Sequence, residues 1–445
     1  MRYQTPSSGS CMASYEFFHI PGVDCLGRKI TDSLTQLQVV SAGLQTGKKS
    51  ILSESFGLCG HNVSFSELRK MYEWQMVIGV NLLCPHLQGY TLRGIRKRDY
   101  PPAMYYQQPW WKDYGIFVQA MSRIGMLISN GKPQCDTLLI HPQTTAWICY
   151  DGDECSGLAE YEKQFKDIIC SLERKHVQFH LGDEILIERH GSIVKDRFII
   201  GNMEYRRIVL PPHIDFLDTT KKLINEFVKN GGTVCSANEV EDNQITDNEN
   251  ITYLMRCFDD FNMHYFVNST DEYQHAVINV TGNKLDIITG KEIALNNNYE
   301  FAPCDSVVVI EHKNSKQIPF SDKRFDSLNL DGKWSVVDYS NNAITLDYCE
   351  CYFDNKLIGK KISVSEIQQM ACKLKRPLEI RCIFNANINY IPKCLYLVCE
   401  TPEIFKYKVN DKSVNFVDEG YFRDNSFRKT DISRYLKIGK NKIEL

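Results

Sequence analysis

Several features that would settle the class of this chain at once are missing from it. No apolar run approaches the roughly 20 residues of a membrane-spanning helix, and the opening MRYQTPSSGS has no apolar core of the kind a secretory leader needs. These absences predict no membrane partner and a cytoplasmic location for the chain as given, an export signal lost with the N-terminus being the other reading. An excess of one charge is missing too. With 52 basic against 55 acidic residues the net charge is -3, which gives no electrostatic reason to bind nucleic acid. No GxGxxG follows the first strand of any α/β stretch, so a dinucleotide site is not expected. The 17 cysteines are odd in number and scattered, with Cys349 and Cys351 the closest pair, and none shows zinc spacing. They are expected to be reduced thiols buried as small hydrophobes. No cofactor and no metal ligand follows from the residues, and calcium is left open.

At 445 residues the chain is too long for one ordinary core, and several architectures in series are expected. The segment Gly47 to His86 is the most informative. GKKSILSE gives a strand over Ser50 to Ser53 that ends on Glu54. Ser64 and Glu67 form a capping box for a helix burying Leu68, Met71, Tyr72, Met76 and Val77. Val80 to Cys84 is the next strand and ends on His86. Upstream, Tyr15 to Asp24 reads as a strand closed by a turn, followed by a helix carrying Leu34, Leu37, Val40, Ala42 and Leu44. Trp110 to Ile128 adds a further helix. Alternating strand and helix, with polar side chains at the strand ends, is how a parallel α/β barrel builds an active site. Two or three such units are present, where a closed barrel needs eight.

A second α/β rhythm runs from Asp136 to Ala237, with strands near Asp136 to His141, Val177 to His180, Tyr205 to Leu210 and Thr233 to Ala237. HLGDEILIERHG, within it, reads as a charged connecting loop. Beyond Asn250 the pattern turns to short strands, and KWSVVDY, NAITLDYCECYFD, EIRCIFNAN, KCLYLVCE, IFKYKVND and KIEL alternate as in an antiparallel β-sandwich. The expected fold is α/β plus β. Residues 1–131 form the C-terminal part of a (β/α)8 barrel, 132–240 a flavodoxin-like α/β domain, 241–322 a small β domain, and 323–445 a galactose-binding-like β-sandwich.

Glu54 is the first candidate for chemistry, because a carboxylate at the C-terminal end of a barrel strand projects into the mouth where substrate binds. Asp24 and His86 end the neighbouring strands and could converge on the same mouth. Trp110 and Trp111 can offer a flat apolar face to a sugar ring, although two core tryptophans opening a helix fit the pattern equally well. Arg93 heads the basic run RGIRKRD, which otherwise reads as a solvated face.

The order YEFFHIPGVDCLGR, GKKSILSESFG, WQMVIGVNLLCPH, RGIRKRDYPP and PWW, followed by a small α/β stretch and β-sandwiches, resembles bacterial multidomain glycoside hydrolases with clan A-like (β/α)8 barrels, near the α-L-rhamnosidase family 106. The resemblance implies hydrolysis of O-glycosidic bonds in plant or host glycans by two carboxyl groups, with Glu54 as nucleophile or as the base that activates water. It also implies an N-terminally truncated member. The proton donor would lie on earlier strands, the missing barrel half would be a partner besides the glycoside substrate, and these residues alone would have very low activity. The competing reading is a non-catalytic carbohydrate-binding or structural module.

Overall fold

The computed structural model describes residues 4–152, 156–314, 317–321, 329–337 and 341–445. They form two compact units. One comprises Met1–Gln88, Tyr100–Met104 and Trp110–Lys323, the other Gly89–Asp99, Tyr105–Pro109 and Arg324–Leu445.

The first unit opens with two helical turns, α1 (Thr5–Ser8) and α2 (Met12–Tyr15). It continues as β1 (Gly22–Cys25), α3 (Leu34–Gln45), β2 (Leu52–Ser55), α4 (Phe65–Ile78), β3 (Leu82–Pro85) and α5 (Tyr114–Asn130). The three strands are parallel and lie in chain order, β1-β2-β3. The Ser64–Glu67 capping box opens α4, with Ser64 N donating to the Glu67 carboxylate at 2.8 Å and Glu67 N to Ser64 Oγ at 3.3 Å. Strand ends differ from expectation. Tyr15 closes a helical turn, and β1 begins only after Pro21, a residue with no N–H to give a ladder. β2 starts at Leu52 because Ile51 N donates to the Asn81 side chain at 2.9 Å. The helix expected from Trp110 begins at Tyr114, after a 3-10 turn over Trp111–Asp113.

Next come a two-residue strand β4 (Lys132–Pro133), β5 (Thr137–His141), α6 (Gln143–Ile148), α7 (Ala159–Arg174) and β6 (Phe179–Asp183). HLGDEILIERHG is not a loop. Asp183 ends β6 and caps α8 (Glu184–His190), accepting from Ile185 N at 2.9 Å and Leu186 N at 3.1 Å. A three-stranded meander follows, β7 (Gly191–Val194), β8 (Arg197–Ile200) and β9 (Met203–Tyr205). After it come β10 (Arg207–Val209), α9 (Asp218–Lys229) and β11 (Thr233–Cys235). The parallel sheet these strands build has the order β11-β10-β5-β6, which leaves β6 at an edge. Helix α3 covers that edge. Its Ser41 Oγ accepts from Leu181 N at 2.9 Å, and its Gln45 Nε2 donates to Leu181 O at 2.9 Å. This explains why a helix between two sheets buries Ser41 and Gln45 completely, while buried Gln38 is bonded to Gln4 and His141 instead.

The rest of the first unit is antiparallel. Strands β12 (Ile251–Cys257), β13 (Phe261–Asn268), β14 (Gln274–Val277), β15 (Asn283–Leu285), β16 (Glu292–Ala294), β17 (Asn298–Phe301) and β18 (Ser306–His312) make a six-stranded sheet, β16-β15-β18-β13-β12-β4, and a pair, β14-β17. Helix α4 docks on this sheet through an ion pair whose carboxylate is buried. Arg69 and Glu73 lie 2.5 Å apart, Tyr265 donates to Glu73 at 3.1 Å, and Arg69 reaches Ser306 at 2.9 Å. Arg256, only 3% exposed, has no carboxylate within ion-pair distance among the described residues. Its Nε donates to Ile128 O in the last turn of α5 at 3.2 Å, and its guanidinium approaches Gly79 at the end of α4. The C-terminus of α5 thus supplies part of the negative potential that an acidic side chain usually provides. Burial still pushes its pKa down to about 10.

In the second unit, β19 (Tyr348–Phe353), β20 (Lys356–Ser363), β21 (Ile380–Ile388), β22 (Tyr396–Glu400), β23 (Tyr407–Val409), β24 (Lys412–Val414), β25 (Tyr421–Phe422), β26 (Asp424–Asp431) and β27 (Gly439–Glu444) form two antiparallel sheets. Their orders are β20-β19-β21-β27-β23-β24 and β22-β26-β25. Helix α10 (Val364–Leu374) is inserted after β20. Of the expected strand KWSVVDY, Lys333 to Val337 are irregular and exposed, and its end lies outside the described residues.

Glu173, on α7, accepts a hydrogen bond from Ser33, and burial pushes its pKa from 4.5 up to about 7. The folded state therefore holds this proton more tightly than the unfolded chain does. Stability falls as pH rises from about 4.5 to 7 and is flat on either side for this group. Glu173→Gln should remove that slope. Urea titrations at pH 4 and pH 8 should show little change at pH 4 and a gain on the order of 2 kcal/mol at pH 8. A loss at pH 8 would show that the charged form is favourably held.

Candidate functional site

The three parallel strands sort their side chains onto two faces. On the covered face Ser53 and Ser55 are fully buried, and Gln75 of α4 grips both. Ser53 Oγ donates to Gln75 Oε1 at 2.5 Å, and Gln75 Nε2 donates to Ser55 Oγ at 3.0 Å. Glu54 lies between those serines and must therefore point to the opposite face. In register with it are Asp24 on β1 and Cys84 on β3, so the three residues stand side by side across the sheet. Neighbouring strands lie about 4.8 Å apart, which fixes the spacing of their Cα atoms. Asp24 is exposed and Glu54 half-buried. Neither carboxylate has a hydrogen bond or ion pair among the described residues. Their charge is felt locally: the Cys84 thiol is pushed up by burial first, then by Glu54 and Asp24.

Beyond the strand ends the loops are fixed to one another. Phe56, fully buried, has φ 80° and Leu58 has φ 65°, a backbone region disfavoured for side chains of this kind. Such strain directly after Glu54 persists only where the surroundings hold it. Gly27 N donates to Gly57 O at 2.7 Å, and Arg28 joins the first loop to the second through Cys59 O at 2.6 Å and Glu67 at 2.6 Å. His86 stands at the end of β3, its backbone N donating to Ser55 O at 2.8 Å. Its ring faces Tyr100, with centroids 5.3 Å apart, and its Nδ1 is buried without a partner. Gly57 lets the ring approach, since a Cβ there would meet His86 at 3.1 Å. Asp24, Glu54 and His86 thus all occupy the C-terminal end of one sheet.

The other candidates lie elsewhere. Trp110 donates from Nε1 to Val63 O at 3.2 Å, and its ring packs on Phe65 and Tyr114 with centroids 5.1 and 5.6 Å away. Trp111 stacks on Tyr114 at 5.7 Å. Both tryptophans join an aromatic cluster under α4 and α5. Arg93 is exposed and belongs to the second unit, whereas Asp24, Glu54 and His86 belong to the first. Among the described residues no cluster of three or more His, Cys, Asp or Glu side chains could hold a metal ion, and no helix is long and apolar enough to cross a membrane.

Sequence reading missed Asp424, the acceptor that holds the Arg93 segment within the second unit. It is fully buried and accepts from Leu92 N at 2.7 Å, Thr91 Oγ1 at 2.9 Å, Gln107 Nε2 at 3.2 Å, Ser426 N at 2.9 Å and Ser426 Oγ at 2.6 Å. Burial alone would raise its pKa, but these donors hold the carboxyl far below its ordinary range. The only local sequence signal was DNS at the start of a strand, an Asx turn.

No family model matches the chain, and no curated protein sequence matches it. Among solved structures, the rhamnosidase from Novosphingobium sp. PP1Y aligns over 97% of this chain and 47% of its own, with a TM-score of 0.51 and 12% identity. A catalytic mutant of a GH42 β-galactosidase from G. stearothermophilus covers 68% of this chain and 61% of its own, at TM-score 0.47 and 10% identity. An apo GH42 exo-carrageenase from Bacteroides ovatus covers 68% and 49%, at TM-score 0.46 and 12% identity. The chain spans about half the length of the rhamnosidase. The likeness to that rhamnosidase is one of fold: a mixed α/β and β construction of glycoside-hydrolase-like kind.

Asp424→Ala should leave its hydrogen-bond donors facing an empty space and cost on the order of 3 kcal/mol. Hydrogen exchange should accelerate across Gly89–Asp99 and Tyr105–Pro109 while the β2 and β3 amides keep their protection. Unchanged exchange in those segments would show that Asp424 does not anchor them.

Proposed function

We propose that this chain is the C-terminal portion of a glycoside hydrolase and that Glu54 is its catalytic carboxylate. The observation that carries the reading is Glu54 itself: an unpaired carboxylate on the central of three in-order parallel strands, at their C-terminal end, followed by a strained and cross-braced loop. Strands in chain order, each followed by a helix packed on the same face, are the build of a (β/α)8 barrel, whose active site lies at this end. On this reading residues 1–131 are part of such a barrel. The flanking parallel sheet, with its first strand between second and third, has the flavodoxin-like order. The second unit is a galactose-binding-like β-sandwich. Kinship with the α-L-rhamnosidase family 106 rests on the sequence resemblance, and likeness of fold to a rhamnosidase agrees with it.

Glu54 acts as nucleophile in a retaining reaction or as the base activating water in an inverting one. Asp24 stands beside it on the same side of the sheet, where it can accept hydrogen bonds from sugar hydroxyls. His86 closes the third strand end and is a third polar wall. The proton donor is assigned to strands outside this chain. Two features support that: among the described residues both β1 and β3 have an unpaired edge, and on the Asp24–Glu54–Cys84 face Asp24 is exposed and the other two only half-buried, whereas parallel sheets are normally covered on both faces. The partner is then the rest of the barrel, and the substrate an O-glycoside of plant or host origin.

Aryl glycosides should be assayed with the chain alone and together with a polypeptide supplying the remaining barrel strands. Hydrolysis should require both parts and fall about 10⁴-fold or more with Glu54→Gln. Normal turnover by that variant would remove Glu54 from the chemistry. Glycan binding by the reconstituted pair with no hydrolysis, unchanged by Glu54→Gln, would point to a carbohydrate-binding module.

A further inference from the structure

Every cysteine among the described residues is a free thiol, yet three of them meet in the second unit. Cys349 and Cys351 sit two residues apart on β19 and are 3% and 0% exposed. Cys382, on β21, is the direct cross-strand neighbour of Cys351. Backbone bonding fixes the kind of pair they make. Cys382 spends its N–H and C=O on the other side, donating to Leu445 O at 2.9 Å and accepting from Leu445 N at 3.0 Å. Toward β19 it therefore forms a non-hydrogen-bonded antiparallel pair, in which the Cα atoms lie about 4.5 Å apart and the side chains are nearest. A disulfide needs about 4.4–6.8 Å between Cα atoms, so this pair can be bridged without moving the backbone. Cys349, two positions along on the same face of β19, lies diagonally across from Cys382, whose thiol interacts with both.

We propose that Cys349, Cys351 and Cys382 are a disulfide-forming site in which Cys382 is the common partner and bonds to either of the other two. The oxidant is a small-molecule disulfide, RSSR. The Cys382 thiolate attacks it, an S–S bond forms to Cys382, and one RS⁻ leaves and takes up the proton Cys382 lost. The Cys351 thiolate then attacks the Cys382 sulfur and expels the second RS⁻, which is likewise protonated. Two protein thiols are oxidised by two electrons, and RSSR is reduced to two RSH. Attack by Cys349 on Cys382 moves the bond to that pair and frees Cys351. Cys382 is the entry point because it is only partly buried. The reaction is slow, since burial pushes the Cys351 pKa up to about 11 and that of Cys382 up to about 12, leaving little thiolate near neutral pH. The product ties two central strands of the six-stranded sheet together, beside the strand that ends the chain.

The test is peptide mapping of the full-length folded chain after incubation with oxidised glutathione. A cross-link between the β19 and β21 peptides is expected, reversible by dithiothreitol and accompanied by a higher melting temperature. Cys382→Ser should abolish it, and Cys351→Ser should divert it to Cys349. Exposed Cys372 and Cys394 report whether the oxidant reached the protein. Mixed disulfides on those two with no β19–β21 cross-link would overturn the proposal, as would a cross-link that survives Cys382→Ser. No cross-link in Cys351→Ser would overturn the alternation between partners.

Discussion

Two hydrogen bonds between α3 and Leu181 hold the first unit together in a way that packing alone could not. Leu181 lies on β6, the edge strand of the four-stranded parallel sheet, and its outward N–H and C=O have no strand to bond. Ser41 accepts from one and Gln45 donates to the other. A buried, unpaired backbone group costs about as much as a lost hydrogen bond, so an edge sealed by a purely apolar helix would be unstable. Yet α3 also covers β1 and β2, with Val39 and Val40 buried and Gly43 admitting Ile51 where a Cβ would stand 2.3 Å from its Cδ1. One helix therefore serves two sheets, with apolar residues toward both, Leu34, Leu37 and Ala42 joining the second core, and with polar Ser41 and Gln45 added at that sheet's edge. The strands that carry Asp24 and Glu54 inherit their position from this arrangement.

Helix α4 does the same for the side chains of β2. Gln75 bonds the serines on either side of Glu54, and alternation then leaves Glu54 no choice of face. The helix is in turn fixed at both ends. Arg69 and Glu73 dock it on the antiparallel sheet, and buried Arg256 lies against its C-terminus and that of α5. A buried cation served by a helix end and a backbone carbonyl instead of a carboxylate needs those carbonyls in place. Arg256 therefore couples the order of α4 and α5 to that of β12, and through Gln75 to the direction of Glu54.

What the sequence made legible was local. The Ser64–Glu67 box can be read from four residues because both of its hydrogen bonds span three positions. Alternation of strand and helix was legible for the same reason, although the strand ends were displaced. With strands only four residues long, a side-chain bond such as Asn81 to Ile51 N decides where the ladder starts. Helix α8 was misread despite its signal: Asp183 before an apolar ILI is an N-cap, but the surrounding charges suggested a loop. Arg256 and Asp424 were beyond reach. A buried Arg or Asp is identified by its partners, and Leu92 and Thr91 lie 332 and 333 positions from Asp424. Trp110 and Trp111 were ambiguous because a tryptophan pair looks alike in sequence whether its rings meet a sugar or meet Phe65 and Tyr114.

The open face of the three-stranded sheet connects these points to chemistry. Two unpaired carboxylates in register repel each other weakly while water surrounds them, because at about 5 Å their interaction is under about 1 kcal/mol in bulk water and several-fold larger once water is excluded. The same holds for any interaction they make with a developing oxocarbenium ion. On an open face, then, Glu54 and Asp24 have position without electrostatic leverage. On the proposed reading, layers that cover the face would add it, together with the proton donor that reading assigns to them. The loop after β2 is already braced for that step: strain at Phe56 and Leu58 is retained by Arg28 and by the Gly27–Gly57 bond, so no ordering of this loop has to accompany closure. What that reading leaves to the covering layers is exclusion of water, the term on which the strength of a carboxylate's electrostatic interactions depends.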